Sequence, residues 1–177
     1  MTILLFAAAY FLVFAFQIKA MAGFDFLPSA SILFLPAGVK LLAMLSGRWH
    51  GLMGLYLGKL AVDFFLLDAP FTFEVLVVHP VFWILPAYLV LQWIMRRLDI
   101  HEDLSNLKTL HLIAIAMATS MASAVAMQSH MVYVDGVHTA WLKGIWSMAM
   151  GDVSGIALTL ILIVAWRRRE YFLATLR

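Results

Sequence analysis

Four Lys and Asp side chains stand well inside apolar stretches of this sequence, away from their ends: Lys40, Lys59, Asp63 and Asp152. An isolated charge in hydrocarbon is expensive, so charges kept there are paired with one another or serve a ligand or ion. Lys59 and Asp63 are spaced i,i+4, which puts them on one helical face. Asp152 is then the counter-charge available to Lys40 from a distant helix. Two cations and two anions can neutralise one another and fix helix packing, and the same set can bind a ligand or ion. Both readings stay open on the residue types.

Other chemistry finds little footing. His130, Asp135 and His138 can converge in a loop, but their spacing is nonspecific. The six histidines form no ligand pattern, and none lies deep enough in an apolar run to suggest haem, so no metal site and no cofactor is expected. Without cysteine there are no disulfides and no thiol nucleophile. Met117, Met121, Met127, Met148 and Met150 suit irregular helix contacts. The sequence has no phosphate loop, dinucleotide fingerprint or zinc-hydrolase pattern, and "GDVSGIA" is not a nucleophile elbow. A non-enzymatic protein is expected.

The elements that must position the four charges are membrane spans. Of the 177 residues, 64% are hydrophobic and 12% charged, against about 25% charged in soluble domains. The apolar residues fall in long runs, which predicts an all-α polytopic transmembrane bundle, one domain over residues 1–177. Six spans fit: about Thr2 to Met21, Ala30 to Leu45, Leu52 to Leu67, Phe73 to Met95, Thr109 to Gln128 and Ala140 to Trp166. The first has no basic amino end and a long apolar core, so it is expected to be retained and not cleaved as a signal peptide. The second and third are short, which allows a re-entrant or broken helix. Pro80 and Pro86 predict a kinked or locally unwound fourth span.

Cytoplasmic termini place Arg48, Arg96, Arg97, Lys108, Arg167, Arg168, Arg169 and Arg177 on the inner side, in keeping with the positive-inside rule. That orientation keeps both termini in the cytoplasm. Trp49, Trp93 and Trp166 then fall near the inner boundary and Trp141 near the outer one, as interfacial indoles do. The polar connection "DIHEDLSNLK" is too short for a separate core. The inner basic turns suit anionic lipid, and no basic patch suggests nucleic acid.

Small residues mark where helices approach closely. Ala116, Ser120 and Ala124 repeat at i,i+4 in the fifth span, Gly54 and Gly58 do so in the third, and Gly151 and Gly155 in the sixth. The last pair flanks Asp152 and Ser154, leaving room for a neighbouring helix or a small ligand.

Two stretches carry a family likeness. "LPAGVKLLAMLSGRWHGLMGLYLG" has a proline–x–glycine entrance, a glycine–arginine turn and a following glycine-bearing helix, at Pro36, Gly38, Gly47, Arg48 and Gly58. "WSMAMGDVSG" adds Trp146, Gly151, Asp152 and Gly155. Together they resemble the MASE1-type integral membrane sensor domains over residues 27–165. The resemblance implies a helical sensory scaffold in a bacterial inner membrane, of the kind that usually carries a cytoplasmic output domain, and with "WRRRE" so near the end of the sequence no such domain is expected. Lys40 is an addition to the family pattern. The expected role is an accessory, anchoring or sensory subunit acting through helix contacts with a membrane partner or a second copy. A small transporter or channel component using the Lys/Asp network is the alternative.

Overall fold

The structure is a computed structural model that describes the backbone of residues 1–20, 25–27, 30–31, 33–135 and 141–175, with side chains at 1–20, 33–133 and 141–166. The described chain runs α1 (Thr2–Ala20), a two-stranded antiparallel hairpin of β1 (Asp25–Leu27) and β2 (Ala30–Ser31), α2 (Pro36–Leu42), a π-helical turn (Ala43–Gly47), α3 (Arg48–Phe65), a second π turn (Glu74–Val78), α4 (His79–Arg97), α5 (Thr109–Asp135) and α6 (Trp141–Thr175). Four segments, Thr2–Ala20, Glu74–Arg97, Thr109–Tyr133 and Trp141–Trp166, are long and apolar enough to cross a membrane. They expose large apolar side chains such as Leu12 and Phe16 on α1, Leu85 and Leu89 on α4, and Ile161 and Leu162 on α6. Water would oppose such faces and lipid accommodates them. The chain is a multi-span membrane protein of all-α class, with one short hairpin.

α1 packs along α3, α5 lies between α4 and α6, and α2 rests on α6 and α1. The small residues serve these contacts. A Cβ on Gly54 would sit 2.6 Å from Cβ of Phe6, and one on Gly58 3.0 Å from the Ala7 carbonyl oxygen, so α1 lies directly on α3. Ala116, Ser120 and Ala124 share the buried face of α5. The core between the layers holds Tyr10, Leu41, Met44, Leu55, Trp83, Leu91 and Ile115.

The second crossing differs from its expected outline. Its helix begins at Pro36, and Ala30 and Ser31 belong to β2. Proline is suited to the first turn because its missing N–H has no intrahelical acceptor there. The helical part, seven residues plus a five-residue π turn, rises about 18 Å, well short of the roughly 30 Å hydrocarbon layer. Backbone at membrane depth must find its partners within the protein. Phe34 N–H donates to the Gly151 carbonyl at 3.0 Å, near the centre of the membrane-length part of α6. The side chain of Gln17 on α1 does the rest. Its Oε1 accepts from Leu35 N–H at 3.1 Å, and its Nε2 donates to the Leu33 carbonyl at 2.7 Å.

The glycine–arginine turn joins the π turn to α3. The positive φ falls on Arg48, at 47°, and Gly47 is at −97°. Gly47 is small because the Phe6 ring lies against it. The Arg48 guanidinium closes the turn on the 98–108 loop, 2.8 Å from a Glu102 carboxylate oxygen and 3.1 Å from the Glu102 carbonyl. Asn106 ties that loop together by accepting from His101 N–H and donating to the Asp99 carbonyl. The Ser105 backbone N–H and hydroxyl hold the Asp103 carboxyl below its ordinary range. The Arg48 turn and this loop therefore share one end of the bundle.

The two prolines of the fourth segment stand differently. Pro80 follows the π turn, while Pro86 sits within continuous helix. Pro80 offers no N–H to the Leu76 carbonyl four residues back. The Tyr56 hydroxyl donates to that carbonyl instead, at 3.0 Å.

The glycine contacts give a graded prediction. A Cβ on Gly155 would run into the Phe34 carbonyl, which is backbone and fixed by its neighbours. Gly155→Ala should cost about 1–3 kcal/mol as overpacking. Gly58→Ala, whose Cβ would stand 3.0–3.2 Å from its neighbours, should cost less. Thermal unfolding of both variants in detergent checks the order.

Candidate functional site

Lys40 projects from α2 into the centre of the bundle, and both it and Asp152 are 1% exposed. Its Nζ lies 2.9 Å from Asp152 Oδ2 on α6 and donates to Ser123 Oγ on α5 at 3.1 Å. The ammonium also stands 4.8 Å from the ring centroid of Trp83 on α4, within cation–π range. Ser123 in turn donates to the Trp83 carbonyl at 3.2 Å, and Tyr10 of α1 packs on the Trp83 ring at 5.1 Å. One charge thus gathers four helices, near the midpoints of the three membrane-length ones among them, α4, α5 and α6. Asp152 Oδ1 has no hydrogen-bond partner among the described residues.

Lys59 and Asp63 form a second pair within α3, with Nζ 2.6 Å from Oδ2. The four charges singled out in the sequence therefore divide into two ion pairs. Gly151 and Gly155 bracket Asp152 on the turn that receives Phe34, so this small-residue pair admits the entrance of α2. An apolar crevice of about 180 Å³ lies between α2, α6 and the 98–108 loop, lined among others by Leu41, Leu45, Leu104, Leu107 and Ile156. Neither Lys40 nor Asp152 lines it.

A third polar group was not found by sequence spacing. Glu74 Oε1 lies 3.3 Å from His130 Nε2 on α5 and 3.6 Å from His79 Nε2 on α4. The two imidazoles meet edge to face at 5.3 Å, and His130 stacks on Phe82 at 4.9 Å. Residues five apart diverge by about 140° around an α-helix. The π turn, with its i→i+5 hydrogen bond from His79 N–H to the Glu74 carbonyl, brings Glu74 and His79 onto one side. Nothing in the residue types announces that turn except Pro80 just after it. The expected partners of His130 were Asp135 and His138; His138 and the side chain of Asp135 lie outside the described residues. This carboxylate and two imidazoles, with ligand atoms all within 4.8 Å of one another, could hold a metal ion.

Compared with known protein families, curated proteins and solved structures, the chain gave no match.

The Lys40–Asp152 pair yields a paired-mutant prediction. Lys40→Met leaves a buried carboxylate without its cation and should cost about 3–5 kcal/mol, as for other broken buried pairs. Lys40→Met with Asp152→Leu removes both charges and should restore most of that loss. Gel filtration and thermal unfolding of the single and double variants in detergent measure the difference.

Proposed function

We propose that this chain is a non-enzymatic membrane subunit, an accessory, anchoring or sensory component that acts through helix contacts with a membrane partner or a second copy. The observation that carries this reading is the closure of the Lys40 centre. The ammonium and carboxylate are almost fully buried and face each other directly, and the ammonium takes its further contacts from Ser123 and Trp83. A transport path needs such charges to meet water from one side or both, and a packed ion pair speaks for a fixed scaffold. The transporter or channel component is the alternative.

The same reading takes the bundle as six crossings with both termini in the bacterial cytoplasm. The grouping of the Arg48 turn with the 98–108 loop at one end supports it, since both belong to the expected inner side. Arg96, Arg97 and Lys108 flank that loop and would meet anionic lipid or a cytoplasmic partner. A MASE1-like scaffold fits as well, because the two stretches that carry the likeness touch in space where Phe34 and Leu35 meet Gly151 and Gly155.

Purification in mild detergent, with identification of co-purifying proteins, tests the proposal. A membrane protein recovered in fixed stoichiometry, or a defined homo-oligomer, is the expected result. A monodisperse single chain that moves a solute across liposomes would establish the transporter instead.

A further inference from the structure

Independently of that reading, we propose that Glu74, His79 and His130 bind a first-row divalent transition-metal cation, zinc being the simplest, at the end of the bundle away from Arg48. Zinc bound tetrahedrally with bonds of about 2.0–2.1 Å holds its ligand atoms about 3.3 Å apart. Glu74 Oε1 already stands 3.3 Å and 3.6 Å from the two Nε2 atoms.

The second observation is His130 itself. It is only 8% exposed, its ring is fixed against Phe82, and its Nε2 has no hydrogen-bond partner among the described residues although it lies 3.3 Å from Glu74 Oε1. A buried polar atom of that kind calls for an explanation, and coordination supplies one.

The donor set selects the class of ion. Two imidazole nitrogens and one carboxylate suit zinc, nickel or copper, whereas calcium and magnesium favour oxygen ligands. The Glu74 and His79 side chains are 42% and 30% exposed, so an ion can enter from the bundle end. Three protein ligands leave a further position for water or a fourth donor. The bound ion would tie the π turn before α4 to the far end of α5, clamping the one irregular turn of the fourth segment.

The test uses full-length protein in detergent, carrying an affinity tag without histidines and freed of metal by chelator and dialysis. Zinc chloride is titrated calorimetrically, and bound zinc is counted after gel filtration. One zinc per chain with micromolar or tighter affinity is expected, undisturbed by excess calcium chloride. Glu74→Gln and His79→Gln, at partly exposed positions, should each weaken binding at least about tenfold, since even groups behind the ligands of metal sites contribute that much. Both variants must keep the gel-filtration profile of the parent. His50→Gln, at an exposed position on α3, should bind as the parent does. Absence of stoichiometric zinc, displacement by calcium, or undiminished binding in both Glu74→Gln and His79→Gln overturns the site.

Discussion

The attraction between the Lys40 ammonium and the Asp152 carboxylate is the constraint around which this bundle is arranged. Neither charge is tolerable alone in hydrocarbon, and contact between them offsets much of that cost even though Asp152 Oδ1 is left without a partner among the described residues. Contact requires α2 to lie hard against α6. The surfaces that meet there are Gly38 against the Thr159 side chain and Gly155 against the Phe34 backbone. It also requires a donor–acceptor from the third side, which Ser123 provides from the small face of α5, and a tolerant surface on the fourth, which is the Trp83 ring. The glycines, the serine and the tryptophan are thus consequences of burying one lysine.

Irregular backbone is the second organising theme. A lipid environment offers no water to an unpaired amide or carbonyl, so each break in a helix needs a dedicated partner. At the entrance of α2 the partners are the Gln17 amide and the Gly151 carbonyl; at Pro80 the partner of the freed Leu76 carbonyl is the Tyr56 hydroxyl. Each of these partners comes from a different helix, so the breaks are also cross-links.

Much of the architecture was legible before any coordinates. Long apolar runs mark the helices because the bilayer sets their length, and Lys59 with Asp63 is a local pair fixed by helical periodicity. Lys40 with Asp152 could be anticipated because the remaining charges in the apolar runs were one cation and one anion. Gln17 could not, since its role depends on where a non-helical segment far along the chain returns to α1. The Glu74, His79 and His130 group was hidden for a related reason. A π turn changes the angular spacing of residues by an amount that apolar periodicity does not record, and His130 comes from another helix. Pro86 carries the same sequence signal as Pro80 yet lies within continuous helix, so a proline alone does not locate the turn.

One turn of α6 carries three separate obligations. The Gly151 carbonyl receives the Phe34 amide, Asp152 holds Lys40, and the bare face of Gly155 seats the Phe34 carbonyl. Sliding α6 along its axis, or rotating it, would break all three together. α2 and α6 therefore behave mechanically as a single body, and any motion that passes through the membrane by way of α6 carries α2, with the Arg48 turn below it, in the same stroke.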